Sequence, residues 1–344
     1  MLAAAVAVAV SSVGCGGDEP RDDLEGASFA VAIVKQGSPQ SIEIVEVDGT
    51  RRRIGRGGAP AWSSDGSRIG WLQPGPDKDD DGHRIRGLAT ATPAGGDRRL
   101  VPPPGHARGP LGVEAFDWSP SGTMIASEAA VQDGLEPPRF IYVARPDGAD
   151  RRTLARCQRP TAPAFSPDGD SVAHLCDDAR GQVRVADVDG RRSRTLYDVG
   201  SLNARYLPSP IQGQIAWRPD GRQMAVGVTD IVRSQDRIAF IDSDDGRLRP
   251  GPVGARLRWS SDGRRYAYQS DRDVVIRDAV GDRFQRRLRG ATSFAWSPDG
   301  RYLAFSALRG DTLGGIRIIR VRDGRSAGSI RLPGAVTIAW RPAR

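Results

Sequence analysis

The chain has 344 residues, of which 38% are apolar, and carries a formal net charge of +8. The 42 glycines and 25 prolines make up about a fifth of it, a share that is typical of a turn-rich β protein and below that of low-complexity disorder. No apolar run approaches the ~20 residues of a membrane-spanning helix, and three cysteines cannot build a disulfide scaffold, so both of these classes are excluded. All but two of the basic residues are arginines. They are spread along the chain with no dense run beyond 51–53, and we expect no nucleic-acid partner.

Residues 1–14 are predicted to be an export signal. An apolar run over 2–10 suits the hydrophobic region of a signal peptide and is too short to cross a bilayer. Small residues then lead to Cys15, as in a bacterial lipobox, where the cysteine is lipidated. Ser12 stands where lipoboxes prefer leucine, and no basic residue precedes the run, so a plainly cleaved secretory signal is the alternative. We expect an exported chain, anchored by lipid to the outer side of the cell membrane, facing the periplasm or the extracellular space.

Residues 15–26 are predicted to be the anchor cysteine and a disordered tether. The segment after Cys15 contains five acidic residues and one arginine, with almost nothing apolar, which is typical of a solvated linker.

The rest of the chain, 27–344, contains an internal repeat. An aromatic residue followed by Ser-Pro-Asp-Gly or a close variant recurs at spacings of 37 to 56 residues, with the last copy cut short after Arg-Pro; the aromatic residues are Trp62, Trp118, Phe165, Trp217, Trp259, Trp296 and Trp340. This is the period of a four-stranded propeller blade. Ser-Pro-Asp-Gly suits a type I turn, and the flanking segments alternate apolar and polar residues as strands do.

The repeats begin and end out of phase. Residues 28–57 supply the second, third and fourth strands of a blade, and 335–340 supply a first strand with nothing after it. We therefore predict an all-β fold: a seven-bladed β-propeller of four-stranded antiparallel blades, closed by pairing of the C-terminal strand with the N-terminal blade. Closure leaves no free seam in the ring, and we expect a monomer.

The repeated aromatic-Ser-Pro-Asp-Gly motif, followed each time by an apolar strand, resembles the TolB-type, WD-like propeller repeat over about residues 28–344. The resemblance implies an envelope protein that presents partner-binding surfaces. TolB carries a small α/β domain ahead of its propeller for which this chain has no room, so the peptidoglycan-associated lipoprotein that TolB binds is not expected as the partner.

Asp77, Asp79 and Asp81, followed by Gly82, fit an Asp-x-Asp-x-Asp-Gly arrangement of oxygen ligands that suits a structural Ca²⁺. The position where an EF-hand would place its glutamate is Leu88. A solvated acidic loop tip, between the second and third strands of the second blade, is the simpler interpretation, and no other cofactor is expected.

Cys157 and Cys176 flank the first hairpin of the fourth blade, and an oxidising location favours a disulfide between them. The alternative is two free, partly buried thiols. His83, His106 and His174 show no metal-ligand spacing, and we expect His174 to be a structural residue. The sequences 102–105 and 198–212 are predicted to be surface loops.

No hydrolase, P-loop or dinucleotide motif occurs in the chain. We therefore expect a non-enzymatic scaffold that binds an envelope protein or a cell-wall polymer. The alternative is a lactonase- or lyase-type enzyme with its active site in the central funnel. Small apolar side chains facing that funnel would count against the enzyme.

Overall fold

The structure is a computed structural model that describes residues 24, 26–35, 38–78, 84–103, 111–131, 139–155, 157, 160–176, 181–198, 205–208, 214–309, 312–332 and 334–342. Its described residues contain 29 strands in seven antiparallel sheets. No helix among the described residues has the length and apolar character needed to cross a membrane. The all-β prediction is confirmed.

Blade one joins the two ends of the chain. From the inside outward it consists of β29 (Ala335–Trp340), β1 (Ser28–Lys35), β2 (Ser38–Glu46) and β3 (Arg51–Arg56). The predicted closure is therefore confirmed.

Blades two to seven follow in chain order. Blade two contains β4 (Gly58–Trp62), β5 (Ile69–Lys78), β6 (Arg84–Ala91) and β7 (Arg99–Val101). Blade three contains β8 (Leu111–Trp118), β9 (Ile125–Val131), β10 (Arg139–Ala144) and β11 (Arg152–Ala155). Blade four contains β12 (Thr161–Phe165), β13 (Ser171–Cys176), β14 (Gln182–Asp187) and β15 (Ser193–Asp198).

The remaining blades have the same order. Blade five contains β16 (Tyr206–Pro208), β17 (Ile215–Trp217), β18 (Gln223–Asp230), β19 (Gln235–Asp242) and β20 (Leu248–Val253). Blade six contains β21 (Ala255–Trp259), β22 (Arg265–Ser270), β23 (Asp273–Asp278) and β24 (Phe284–Leu288). Blade seven contains β25 (Ala291–Trp296), β26 (Tyr302–Arg309), β27 (Thr312–Arg320) and β28 (Ser326–Ile330).

The first strands form the inner ring. In the order β29, β4, β8, β12, β17, β21 and β25, each contacts the next, and β25 contacts β29 again. The fourth strands are consequently outermost, and each leaves one edge unpaired.

The turn between the first and second strands of blade two is stabilised by its own serine and aspartate side chains. The Ser63 hydroxyl donates to Asp65 Oδ1 (2.6 Å) and accepts from the Arg68 N–H (2.9 Å). Gly66 takes a φ of 64° and donates its N–H to the Ser63 carbonyl. A left-handed φ of this kind favours glycine, which explains the glycine that ends every full copy of the motif.

The core lies between the blades. The buried apolar residues of the described chain form seven clusters, one at each seam. Trp62, for example, belongs to β4 but packs among residues of blade one such as Ile42 and Ile44. Each blade thus buries both faces of its sheet against its neighbours.

The prediction of a loop over 198–212 is wrong in part. Asp198 ends β15, and Tyr206–Pro208 forms β16, which pairs with Val228–Asp230 of β18. The three residues of β17 cover only Met224–Val226 of that strand. A second short strand therefore supplies the hydrogen bonds that the outer part of β18 would otherwise lack. In the other predicted loop, residues 102 and 103 have no regular structure, and 104 and 105 lie outside the described residues.

Candidate functional site

The residue before each motif aromatic occupies the same place on the inner ring. It is alanine in five blades, at 61, 164, 216, 295 and 339. In blades three and six it is Asp117 and Arg258. The five alanines lie in or against the apolar clusters between blades. Asp117 and Arg258 are therefore the two places where a charged side chain replaces alanine on an inner strand.

Among the described residues, indole hydrogen bonds join five of the seven neighbouring pairs of inner strands. Trp118 Nε1 donates to the carbonyl of Ala61 in the preceding blade (3.1 Å), and Trp62, Trp217, Trp259 and Trp296 bond in the same way. Blade four has Phe165, which lacks an N–H on its ring. There the Asp117 carboxylate accepts the backbone N–H of Phe165 instead (2.8 Å). Asp117 thus links blades three and four where the indole link is missing.

Asp117 and Arg258 lie on the inner strands β8 and β21. Burial raises the pKa of Asp117 to about 6, against the hydrogen bond from Phe165 and the positive charge of Arg258, which both lower it. Desolvation lowers the pKa of Arg258, and the negative charge of Asp117 opposes this decrease. Each charge favours the ionised form of the other, although blades three and six are nearly opposite each other in a ring of seven. The inner ring therefore holds one acid with a raised pKa and one guanidinium.

A second polar cluster lies in the seam between blades three and four. Glu128 of β9 is buried, accepts a hydrogen bond from Arg139 Nη1 (2.6 Å), and accepts another from the backbone N–H of Ala162 (3.4 Å). Ala162 lies on β12 with a φ of 55°, a conformation that costs about 1 kcal/mol or more for a residue with a Cβ. Contact with a buried carboxylate stabilises this bend of the inner strand.

The predicted cysteine pair belongs to the same seam. Cys157 and Cys176 are joined by a disulfide with Cα atoms 5.8 Å apart, rather than being two free thiols. The buried imidazole of His174 lies beside them, with all three potential ligand atoms within 4.8 Å. Both sulfurs are used in the bond, so they are not free to ligate a metal. Sequence spacing did not predict this proximity, because 157 lies outside the strand that holds 174 and 176.

A groove of about 1060 Å³ separates blades four and five on the face that carries the Ser-Pro-Asp-Gly turns. Its walls hold Asp168, Asp220, Arg191 and Arg192, with Trp217 also lining it. The walls therefore carry charges of both signs.

Comparison with solved structures identifies this architecture. TolB from Acinetobacter baumannii matches 93% of the chain and 68% of its own length, at 17% identity and a TM-score of 0.52. The β-propeller domain of Cps50 (Swd1) from Myceliophteria thermophila matches 83% of the chain and 90% of its own length, at 14% identity and a TM-score of 0.57. The chain has the fold of a TolB-like, WD40-like β-propeller.

An enzyme also shares the TolB-like fold. Oligogalacturonate lyase from Vibrio parahaemolyticus matches 84% of the chain and 89% of its own length, at 9% identity and a TM-score of 0.58. No known protein-family profile matches the chain, and no curated protein is significantly similar to it in sequence. These likenesses establish the propeller and leave its activity open.

Several predicted site residues lie outside the part of the chain that the structure describes. Cys15, Asp79, Asp81, His83 and His106 lie outside the described residues. Asp77 belongs to the end of β5 rather than to the loop that was expected to hold it. The lipidation and Ca²⁺ hypotheses therefore stay predictions.

Sequence reasoning missed Asp117 and Arg258 as candidate site residues, although a signal was present. Aligning the seven motifs on their aromatic residues shows alanine in five of the preceding positions, and Asp117 and Arg258 are the two departures. Only the closed ring brings these two positions close enough for their charges to affect each other.

Proposed function

We propose that the chain is an exported, lipid-anchored scaffold that binds an envelope protein or a cell-wall polymer and performs no catalysis. The composition of the inner ring carries this proposal. Five of the seven inner-strand positions before the motif aromatic are alanines that pack in the seams between blades, and no cluster of acids and histidines suited to a metal lies on the inner ring among the described residues. Catalytic sites need several converging polar groups, whereas a binding scaffold needs a rigid ring with shaped surfaces.

The groove between blades four and five is the surface we assign to the partner. Two observations support this choice. The groove is wide, open and lined by charges of both signs, including Arg191 and Asp220, which suits a polar chain better than a small apolar ligand. Trp217, one of its lining residues, donates its indole N–H to the Ala164 carbonyl of blade four (3.2 Å), which links the two walls.

Crosslinking in intact cells tests the binding function. We expect a partner to be captured with the wild-type chain and to be lost when one groove charge of each sign is reversed in an Arg191→Glu, Asp220→Lys variant. The variant keeps the net charge, so a loss reports the groove rather than overall attraction. A matched control reverses Arg145 and Asp150, an exposed ion pair of blade three outside the groove. No captured partner, or equal capture by both variants, contradicts the proposal.

Metabolic labelling with a fatty acid tests the anchor. We expect label on the wild-type chain and none on a Cys15→Ser variant. Equal labelling of the two chains contradicts lipidation at Cys15.

The alternative function is an enzyme of the lactonase or lyase type that uses the central funnel. The observation in its favour is Asp117, whose pKa of about 6 suits a general acid or base near neutral pH. This alternative predicts turnover of a lactone or an oligouronide that Asp117→Asn abolishes while the fold remains intact. Turnover that survives the substitution would remove Asp117 from the chemistry.

A further inference from the structure

The outer rim of the propeller is unevenly charged. We define the rim of a blade as the residues from the end of its third strand to the end of its fourth. The rims of blades six, seven and one (279–288, 321–330 and 47–56) hold nine arginines and three aspartates. The rims of the other four blades hold ten arginines and seven aspartates. Positive charge is therefore concentrated on one side of the ring, over three consecutive blades.

Part of this charge is available to a partner, whereas Arg51, Arg287 and Arg322 form ion pairs within the chain. Arg52 and Arg283, in the rims of blades one and six, are exposed, and so is Arg331, which directly follows the rim of blade seven. Within the described part of the chain, none of the three pairs with a carboxylate. Surface arginines are ordinarily solvated, so charge alone does not identify a ligand.

Two exposed apolar side chains accompany the arginines. Phe284 on β24 is 59% exposed, and Val280 in the turn before it is 65% exposed. Arg283 is adjacent to Phe284, and Arg286 and Arg287 follow on the same strand. Apolar groups surrounded by arginines are typical of surfaces that lie in a membrane interface, where the apolar groups enter the lipid and the cations meet the headgroups.

The tether leaves the ring on the same side. Leu24 is buried in the apolar cluster between blades seven and one, beside Gly328 of β28. Eight residues separate it from Cys15, and an extended chain of that length spans about 30 Å. A lipid on Cys15 would therefore hold the rim of blades seven and one within about 30 Å of the bilayer.

From these observations we propose that the rim of blades six, seven and one docks on a membrane surface of anionic phospholipids. The arginines contact the headgroup phosphates, while Phe284 and Val280 enter the interface. The argument from the tether rests on the lipid anchor of the proposed function, whereas those from charge and apolar exposure do not. Docking at the rim leaves both faces of the ring, and the groove, open to a partner.

Vesicle flotation tests the docking with the chain from residue 15 carrying Cys15→Ser, which keeps the whole ring and lacks the lipid. We expect binding to phosphatidylcholine vesicles only when they contain phosphatidylglycerol, and weaker binding as salt screens the charges. Each basic residue near such a surface contributes about fivefold to binding. An Arg52→Gln, Arg283→Gln, Arg331→Gln variant should therefore lose on the order of a hundredfold.

A matched control removes three exposed arginines from the remaining rim, as Arg151→Gln, Arg152→Gln and Arg247→Gln. Its net charge equals that of the first variant, and we expect less than about a twofold loss because these residues lie away from the bilayer. Thermal unfolding of both variants shows whether either has lost its fold. Phe284→Ala should weaken binding at high salt, where the apolar contribution dominates.

Three outcomes overturn the proposal: equal losses in the two triple variants, equal binding to vesicles with and without phosphatidylglycerol, or retention on immobilised polyphosphate with no vesicle binding. Fatty-acid labelling of the wild-type chain is independent of this assay. Vesicle binding without labelling contradicts the lipid anchor and supports the docking surface. Labelling without vesicle binding supports the anchor and contradicts the docking surface.

Discussion

Phe29 and Trp340 lie opposite each other on β1 and β29, with ring centroids 4.8 Å apart. They come from the two ends of the chain, and their contact belongs to the apolar cluster between blades seven and one. Five residue pairs join the two strands, so the last strand of the chain completes the first blade. Separating the two ends of the chain therefore requires the loss of the whole pairing between β1 and β29.

Truncating Ile338 tests how much this closure contributes to stability. Ile338 is 5% exposed and pairs with Val31 on β1. We expect Ile338→Ala to lower the free energy of unfolding by about 3 kcal/mol, because a buried cavity remains. Urea unfolding measures it. The adjacent Thr337→Ala, at a partly exposed position on the same strand, should cost less than about 1 kcal/mol. Equal losses at the two positions would contradict a specific packing role.

Much of the fold could be predicted from the sequence because each blade repeats one local rule. The aromatic residue, the Ser-Pro-Asp-Gly turn and the alternating strand after it are short-range signals, and seven copies fix the number of blades. Tyr206–Pro208 was missed because a three-residue strand with no turn motif has no local signal; it forms only to cover the exposed end of β18.

The candidate site was less predictable for a different reason. Asp117 and Arg258 are 141 positions apart, and their interaction depends on the curvature of the closed ring rather than on any local pattern. The seam cluster around Glu128 and His174 depends in the same way on how blade three stacks on blade four. Tertiary stacking therefore determines both groups of polar side chains.

The indole hydrogen bonds predict an unequal response to tryptophan substitution. Trp118→Phe removes the bond to the Ala61 carbonyl and should lower the free energy of unfolding by about 1 to 2 kcal/mol, because a partly buried acceptor loses its donor. Phe165 occupies the equivalent place in blade four without such a bond, and Phe165→Leu therefore reports packing alone. A Trp118→Phe variant as stable as wild type would show that the indole N–H contributes nothing.

Asp117 should make the folded state less stable as the pH rises. Its folded-state pKa of about 6 lies above the unfolded value of 3.8, so the native protein binds the proton more tightly. Its contribution to stability is complete below pH ~4, falls as the pH rises, and is lost above pH ~6, a change of about 3 kcal/mol at most. Asp117→Asn keeps an acceptor for the Phe165 N–H and should remove this dependence. Urea unfolding at several pH values measures the difference between the two chains.

Asp168 provides the control with the opposite sign. Hydrogen bonds from the Ser166 hydroxyl and the Asp170 N–H hold the pKa of Asp168 below its ordinary value, so its contribution is present near neutral pH and lost on acidification. Asp168→Asn should therefore destabilise the protein more at neutral pH than in acid. If both variants shift stability in the same direction with pH, the buried environment assigned to Asp117 is wrong.

The disulfide predicts a measurable dependence on reductant. Cys157 and Cys176 are 19 residues apart, and closing a loop of that size stabilises a fold by about 3 kcal/mol, chiefly by restricting the unfolded chain. Dithiothreitol should lower the urea midpoint of the wild-type chain to that of a Cys157→Ser, Cys176→Ser variant, which should itself be insensitive to the reductant. Cys15→Ser should leave the midpoint unchanged, because that residue precedes the ring. A wild-type midpoint that does not respond to complete reduction would show that the packing of His174 and Glu128 holds the seam without the covalent link.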